Sequence, residues 1–272
     1  MPYTRDTSMQ TLVRILCGSA IALFLLWKPA LAGPVQERVS AQHAVRVCIW
    51  PDYYGISFRN PRTQQLGGID IDLSTELGKD LKARVEYVES SFATLIDDLV
   101  VQRCDVGMFA IGMLPQRMAH LKFTQPYLSS DIYGITTRSN AVIKQWADID
   151  QPGVLVAVQA GTFMEPVMGE RLKHAKLVRI SPPATREHEL EAGRVDVFMT
   201  DFPYSRRLLD NADWARLVSP PKPVFVLPYA YAVKPGDDAW LKTMNDFVAR
   251  IKRDGRLDAA AARHGLTEIV VR

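Results

Sequence analysis

Apolar stretches alternate with segments of mixed polarity along most of the chain, and the spacing of the apolar residues changes from one stretch to the next. Short buried strands are predicted at residues 45–50, 85–88 and 105–109. Apolar residues at helical spacing predict an amphipathic helix that opens at residues 71–78 and a second helix at residues 92–101. Alternation of this kind is typical of parallel α/β layers.

The same order of elements returns in a second unit, after a crossover near residues 127–133. A strand at residues 154–158 leads into a helix that we expect to open at residues 161–162, and a further strand follows at residues 195–199. Since the second unit echoes the first in order and spacing, the pattern favours two α/β units.

The last part of the chain is first rich in proline and then helical. Prolines at positions 220, 221, 223 and 228 mark an irregular return passage, since proline resists both helix interiors and central strands. A helix at residues 239–253 and a short helix near residues 258–264 are predicted to end the chain.

The first 32 residues carry the three parts of a secretory signal. Arg5 and Arg14 precede an apolar run at residues 15–27, and residues 30–32 offer small side chains at the spacing of a cleavage site. The apolar run is about 13 residues long, short of the roughly 20 that span a bilayer. We therefore expect an exported protein that begins at Gly33 after cleavage, with a retained membrane anchor as the alternative.

Charge and length narrow the classes of function. The sequence holds 33 Lys and Arg against 30 Asp and Glu, and these charges are interspersed. Nucleic-acid faces and polybasic membrane patches need clustered positive charge, so neither partner is expected. The length beyond the predicted signal, about 240 residues, is typical of one large α/β domain or of two lobes. The repeated order of elements favours two lobes.

Cysteine use agrees with export to an oxidising compartment. Cys17 lies ahead of most of the apolar run, whereas a lipid-attachment cysteine would follow that run. Only Cys48 and Cys104 remain after the expected cleavage, and two cysteines in a secreted protein usually bond. We predict a Cys48–Cys104 disulfide, with two buried free thiols as the alternative.

Seven short segments resemble the family-3 extracellular solute-binding proteins, in that family's order and spacing. They are GIDIDL at residues 68–73, SFATLI at 91–96, LPQR at 114–117, FTQPY at 123–127, VQAGT at 158–162, GRVDVFMTD at 193–201 and KRDGRL at 252–257. The resemblance covers nearly all of the chain beyond the predicted signal. The family serves importers of polar amino acids that belong to the ABC class.

The resemblance implies a two-lobed α/β fold of the type II periplasmic-binding-protein kind, with a ligand in the cleft between the lobes. Lobe one would contain residues 36–129 and 230–272, and lobe two residues 130–229, joined by a pair of crossing segments. We further expect a periplasmic monomer without cofactor or metal. It would capture an amino acid or a related small carboxylate and deliver it to an ABC permease at the membrane.

Residues that follow predicted strands are expected to hold the ligand. Arg117 matches the position that in the family binds the ligand's α-carboxylate, and a guanidinium offers paired donors in a carboxylate's geometry. The backbone N–H groups of Gly161 and Thr162 should point at the same anion. Asp201 resembles the family's partner for the ligand's ammonium group. The alternatives are a solvated loop arginine, a helix cap at Thr162 and a turn carboxylate before Pro203.

Aromatic side chains are expected to form the walls of the site. Tyr53 and Phe92 match positions where the family places rings against the ligand's side chain, although such residues are more often core. Trp50 takes a place that is commonly acidic in binders of basic amino acids, and Asp52 could substitute for that acid from another angle. A lysine or arginine ligand is therefore not favoured.

The segment Phe109-Ala110-Ile111-Gly112 departs from the family, which usually has small or hydroxylated residues there. Only backbone groups of Ala110 and Gly112 remain to bond the ligand. Phe109 is expected to narrow the pocket or to supply an apolar wall. The missing hydroxyl argues against an ordinary α-amino acid as the ligand.

Two other functions stay open. Cyclohexadienyl dehydratases share this fold and also travel to the periplasm. They would use the same arginine for a substrate carboxylate and an added acid, for which Glu165 is the candidate; favourable charge at a helix N-terminus is its alternative role. The five histidines are scattered without metal-ligand spacing, and the sequence contains no nucleophile elbow. The second alternative is a binding protein that serves a receptor or a periplasmic dehydrogenase system.

Overall fold

Two β-sheets organise residues 33–272, the part of the chain that the computed structural model describes. In chain order the first elements are α1 (Pro34–Gln42), β1 (Ala44–Ile49), β2 (Phe58–Arg59), β3 (Leu66–Gly67), α2 (Ile69–Leu81), β4 (Arg84–Glu89), α3 (Leu95–Val100), β5 (Val106–Gly112), α4 (Pro115–Met118), β6 (Lys122–Phe123), β7 (Leu128–Ser130) and β8 (Tyr133–Thr137). The later elements are β9 (Leu155–Gln159), α5 (Met164–Arg171), β10 (Lys176–Ile180), α6 (Arg186–Glu191), β11 (Val197–Thr200), α7 (Phe202–Leu209), β12 (Ala215–Val218), β13 (Leu227–Val233), α8 (Asp238–Arg253) and α9 (Arg256–Arg263). Every helix in this range is too short or too polar to cross a membrane. The predicted signal, with Cys17, lies outside the described residues.

The two sheets share one plan. In the first sheet the strands run in the order β4-β1-β5-β13-β6, and β7 also pairs with β13. Strand β1 is parallel to β4 and β5, whereas β13 is antiparallel to β5. The second sheet has the order β10-β9-β11-β8-β12, in which β9 is parallel to β10 and β11, and β8 is antiparallel to β11. Three parallel strands followed by an antiparallel one recur in both, so the predicted α/β alternation and its repeat are confirmed.

Helix α2 illustrates how the sequence forms these layers. Ile69, Leu73 and Leu77 lie four residues apart, so they share one face of the helix, and all three are fully buried. Burial of each such side chain stabilises the fold by about 2 kcal/mol. Just before the helix, Gly68 has a φ of 124°, and a Cβ there would lie 2.3 Å from the Ile56 carbonyl oxygen. Only glycine fits this turn.

The end of strand β5 and the structure of the proline-rich passage differ from the prediction, because both depend on pairing between segments that are distant in sequence. The predicted strand ends at residue 109, but β5 continues through residues 111–112, which pair with residues 229–230 of β13. Pro228 was assigned to an irregular passage, yet it lies near the start of β13. Its carbonyl accepts a hydrogen bond from the Met113 N–H at 3.0 Å, and proline is tolerated near the start of a strand.

Two helices begin later than predicted, because a turn precedes each of them. Helix α3 begins at Leu95 rather than at residue 92, behind a turn in which the Ser91 and Thr94 side chains bond each other's backbone N–H groups. Helix α5 begins at Met164, and not at residues 161–162. There the Thr162 N–H bonds the Gln159 carbonyl in a turn, so the helical hydrogen bonds start further on.

The predicted disulfide is confirmed. Cys48 of β1 and Cys104, two residues before β5, are bonded, with their Cα atoms 5.6 Å apart. Both side chains are buried. The bond therefore joins the start of β5 to its neighbour in the first sheet.

Candidate functional site

A small cavity has lining residues from both sheets and lies among segments that follow their parallel strands. Its volume is about 20 Å³, enough for about one water molecule. The lining residues are Trp50, Tyr53, Phe92, Ala110, Gly112, Arg117, Thr162, Phe163, Met164, Arg186, Thr200, Asp201, Tyr204 and Tyr229. Ligands of open α/β sheets sit beyond the carboxyl ends of the strands. This cavity is therefore the candidate site.

A larger open groove lies elsewhere on the molecule and is a weaker candidate. It has a volume of about 700 Å³ and is lined by parts of residues 54–68, 206–211 and 263–265. Its charged side chains are mostly exposed to solvent, where electrostatic contacts contribute little. The small cavity instead contains buried charges. Among residues 33–272, no three His, Cys, Asp or Glu side chains lie close enough together to hold a metal ion in either place.

The structure gathers most of the residues that the sequence marks as ligand contacts. Eight of the ten line the cavity: Trp50, Tyr53, Phe92, Ala110, Gly112, Arg117, Thr162 and Asp201. Gly161 and Phe109 do not line it. The Phe109 ring is fully buried behind Phe92, with the two ring centroids 5.1 Å apart.

Arg117 is a buried cation on α4, directly after β5. Its side chain is not the solvated loop arginine of the alternative interpretation, since the residue is only 5% exposed. Nη1 donates to the Gly112 carbonyl at 3.1 Å and Nη2 donates to the Gly161 carbonyl at 2.8 Å. The guanidinium carbon lies 4.9 Å from the centre of the Phe92 ring. Burial lowers the pKa of Arg117 to about 10, so the side chain keeps its charge at neutral pH.

No carboxylate pairs with Arg117 within the described part of the chain; its hydrogen-bond partners are two backbone carbonyls. A buried charge without a counter-charge is costly. The same guanidinium has further N–H groups in the planar arrangement that suits a carboxylate. The site is therefore electrostatically prepared for an anion.

Asp201 is the carboxylate of the cavity, at the end of β11 and the start of α7. Its Oδ1 accepts a hydrogen bond from the Tyr204 N–H at 3.2 Å, which caps α7. Its Oδ2 accepts hydrogen bonds from the Tyr229 hydroxyl at 2.7 Å and from the Tyr53 hydroxyl. Burial raises the pKa of Asp201, and the hydrogen bonds from the two tyrosines and the charge of Arg186 oppose that rise. Because Tyr53 and Tyr229 belong to the first sheet's side of the cavity, these bonds connect the two sheets.

The turn at Gly161 and Thr162 does not offer the free N–H groups that were predicted. The Gly161 N–H donates to Oε2 of Glu165 at 2.9 Å, and the Thr162 N–H donates to the Gln159 carbonyl at 3.2 Å. Glu165 also pairs with Arg179. Glu165 thus accepts a hydrogen bond from the backbone just before α5, and it does not line the cavity.

Three aromatic rings pack as one wall of the cavity. The ring centroids of Trp50 lie 5.3 Å from those of Tyr53 and Phe92, and the latter two lie 5.8 Å apart. Such tilted and edge-to-face pairs are favourable beyond their buried area. These rings therefore belong to the hydrophobic core and also line the cavity, so the interpretations as core residues and as walls of the site are compatible.

Ala110 is held beneath the cavity by a buried carboxylate that sequence reasoning did not assign. The Ala110 N–H donates to Oδ2 of Asp70 at 2.9 Å, and the residue has a φ of 48°. The hydroxyls of Tyr127 and Tyr231 also donate to Asp70, at 2.5 Å and 3.1 Å. Burial raises the pKa of Asp70 to about 7, against these hydrogen bonds. Asp70 belongs to the GIDIDL motif, but nothing local in that motif shows that its partner lies in β5.

Sequence reasoning missed six lining residues: Phe163, Met164, Arg186, Thr200, Tyr204 and Tyr229. Arg186 is the most consequential, because it is a second buried arginine, 4% exposed. Its Nη1 donates to the Met199 carbonyl at 2.9 Å, and its guanidinium carbon lies 4.6 Å from the centre of the Tyr204 ring. Its position at the start of α6 was the available signal, since Thr162 and Asp201 among the predicted contacts also lie just before a helix.

Comparison with protein families and known relatives gives a consistent result. Residues 45–267 match the model of the bacterial extracellular solute-binding proteins, family 3. The chain is 27% identical to the cyclohexadienyl dehydratase of Pseudomonas aeruginosa over 224 residues, which cover 81% of this chain and 82% of that protein. It is 26% identical to the ABC transporter arginine-binding protein 1 of Escherichia coli, over 74% of this chain and 85% of that protein.

A solved structure shows the same architecture. The crystal structure of an ancestral amino acid-binding protein, a precursor of cyclohexadienyl dehydratase, matches with a TM-score of 0.76 and 28% identity. The match covers 84% of this chain and 98% of that chain. This likeness confirms the predicted two-lobed α/β fold.

Proposed function

This chain belongs to the bacterial extracellular solute-binding proteins of family 3, and we propose that it captures an amino acid or a related small carboxylate in the periplasm for an ABC importer. In this proposal the protein binds its ligand without chemical change and hands it to a permease. The predicted boundary between residues 229 and 230 falls inside β13, which pairs with β5 of the first sheet. The proposed lobes are therefore residues 36–129 with 227–272, and residues 130–226. The relatives that act in ABC transport support the assignment.

One observation carries the proposal: Arg117 is a buried guanidinium whose charge has only carbonyl oxygens as partners within residues 33–272. A ligand carboxylate would supply the missing negative charge and accept paired hydrogen bonds. Arg117 comes from α4 on one side of the cavity, and its Gly161 contact lies on the other side. A ligand bound at Arg117 would therefore touch both proposed lobes.

Ligand entry requires the proposed lobes to separate. A cavity of about 20 Å³ holds about one water molecule, which is too little for any carboxylic acid with a carbon side chain. The contacts that close it are the bonds Arg117–Gly161 and Tyr53–Asp201. Hinge closure around a ligand is a common response of two-lobed binding proteins.

A thermal-shift screen of the purified protein against amino acids, keto acids and related carboxylates tests the proposal. A ligand that binds only the folded state stabilises it by mass action, by about 2.7 kcal/mol at 100 times its dissociation constant. We expect the melting temperature to rise with the concentration of at least one carboxylate, and not with its amide. Absence of any shift across the panel would overturn the binding function.

An enzyme of the dehydratase type is the second candidate, because a cyclohexadienyl dehydratase matches 81% of this chain. The acid that the sequence offers for such chemistry, Glu165, is bonded to Gly161 and Arg179 and lines a groove beside the cavity that also contains Arg117. Asp201 is the carboxylate that does line it, and it is held by two tyrosines. Mass spectrometry of each stabilising ligand, with cyclohexadienyl carboxylates in the panel, would detect turnover. We expect every ligand to be recovered unchanged.

A further inference from the structure

The cavity contains few groups that could receive a ligand's ammonium, although that group defines an ordinary amino acid. We propose that the site takes a monocarboxylate without an ammonium group, such as an α-keto or α-hydroxy acid, and that Asp201 acts as a latch between the proposed lobes. By latch we mean the Tyr53–Asp201–Tyr229 hydrogen bonds. This inference rests on the proposed ligand-binding function and narrows its ligand class.

Most of the acceptor positions of Asp201 are already occupied. A carboxylate offers about four such positions. Tyr53 and Tyr229 donate to Oδ2, and the Tyr204 N–H donates to Oδ1. An ammonium group brings three donors and needs acceptors that are free. While both buried tyrosines stay bonded, Asp201 offers that group one acceptor position.

Ala110 and Gly112 line the cavity from β5, and residues 109–112 carry no hydroxyl. The Gly112 carbonyl already accepts hydrogen bonds from Nη1 of Arg117 and from the Leu114 N–H. The Ala110 N–H is a donor and is bonded to Asp70. This strand therefore offers little to an ammonium group, in agreement with the three occupied positions of Asp201.

Calorimetric titration of the full chain with matched sets of three acids tests the ligand class. The members of a set share their side chain and differ only at the α-carbon: alanine, pyruvate and lactate; phenylalanine, phenylpyruvate and phenyllactate; leucine, 4-methyl-2-oxopentanoate and its hydroxy acid. We expect the keto or hydroxy acid to bind at least about tenfold more tightly than its amino acid, in every set that binds. An amino acid that binds as tightly as its partners would overturn this inference alone. If no member of any set binds, the proposed function itself fails.

A pair of matched tyrosine variants tests the latch. Tyr229→Phe removes one donor from Asp201 and frees an acceptor position inside the cavity. The ratio of amino-acid to keto-acid affinity should then rise about fivefold or more, since hydrogen bonds to a charged group are strong. Tyr231→Phe is the control: it makes the same change on the same strand, but its hydroxyl bonds Asp70 and it does not line the cavity. If the Tyr229 hydroxyl only stabilised the fold, the amino-acid and keto-acid affinities would change by the same factor in each variant.

Asp201→Asn gives an independent result, because it removes the charge and keeps one carbonyl oxygen for the tyrosines. A latch predicts that keto-acid affinity changes by less than about tenfold and that the preference over the amino acid persists. An ammonium partner predicts a selective loss of the amino acid by more than about a hundredfold. The second result, in a variant that unfolds like the parent, contradicts the inference.

Discussion

Asp70 lies beneath the cavity and links the fold to the site. It accepts hydrogen bonds from Tyr127, Tyr231 and the Ala110 N–H, which fixes the backbone of a cavity-lining residue at a positive φ. A buried polar network of this kind is rigid when all its members are satisfied. Asp70 thus positions β5 against the cavity without touching a ligand.

The raised pKa of Asp70 predicts a pH dependence of stability. Its pKa is about 7 in the folded chain, raised from 3.8 by burial. Between these values the folded state holds a proton that the unfolded state has lost, so the free energy of unfolding falls as pH rises. The slope from this group is at most about 1.4 kcal/mol per pH unit. Asp70→Asn should flatten the dependence between about pH 4 and 7, measured by urea unfolding.

The control for that measurement is Asp246→Asn, an exposed carboxylate on α8. It should leave the slope of the parent unchanged, because Asp246 lies outside the buried network around Asp70. If Asp70→Asn and the parent lose stability equally with rising pH, burial of Asp70 does not control the titration. The role of Asp70 as a buried support would then be wrong.

At the scale of single residues, the motifs identified most of the cavity and misjudged its hydrogen bonds. Arg117 and Asp201 were found because each follows a strand within a recognisable segment. Sequence could not show that Glu165 and Gln159 occupy the N–H groups of Gly161 and Thr162. Those partners depend on the turn geometry before α5, and a turn of this kind has no strong signature in one sequence.

At the scale of elements, the spacing of apolar residues predicted the α/β layers correctly. It did not predict those strand ends that depend on pairing with a distant strand. The extension of β5 to Gly112 depends on its antiparallel partner β13, more than a hundred residues later. Tyr229 was missed for the same reason, since Pro228 beside it suggested an irregular passage. Local propensity describes helices well, whereas the ends of strands follow from their neighbours.

The Cys48–Cys104 bond predicts the behaviour of the first sheet on reduction. It closes a loop with a sequence separation of 56, and such a bond typically contributes about 2 to 4 kcal/mol by restricting the unfolded chain. We expect reductant to lower the urea midpoint of the parent but not that of a Cys48→Ala/Cys104→Ala variant. Alkylation of the unreduced protein should label neither cysteine. Two labelled thiols in the mass spectrum would refute the bond.

At the scale of the whole molecule, the small volume of the cavity, about 20 Å³, predicts that ligand binding needs the proposed lobes to part. Gly55 and Pro203 lie on opposite sides of the interface, and a Cβ at Gly55 would be 3.8 Å from that of Pro203, close to the mean of about 3.8 Å in disulfides. In the Gly55→Cys/Pro203→Cys variant, oxidation should abolish binding and reductant should restore it. Gly55 has a φ of 77°, so a modest loss of stability, about 1 kcal/mol, is expected.

The parent protein is the control for this cross-link, and reductant should leave its ligand affinity nearly unchanged. An oxidised variant that binds as tightly as the parent, with the new bond verified by mass spectrometry, would show that the lobes need not separate. The family resemblance had implied the two lobes and the cleft. It gave no indication that the predicted contact residues bond each other across the cavity, because that depends on the bonds Tyr53–Asp201 and Arg117–Gly161.

The most direct test of the account is calorimetric titration of Arg117→Ala with the carboxylate that stabilises the parent most. Loss of one partner of a buried charge pair typically costs about 2 to 5 kcal/mol, so affinity should fall roughly 30- to 5,000-fold. Arg253→Ala, an exposed arginine at the end of α8, should bind like the parent. If Arg117→Ala remains folded and binds as tightly as the parent, the carboxylate does not bind at Arg117, and the central assignment of the site is wrong.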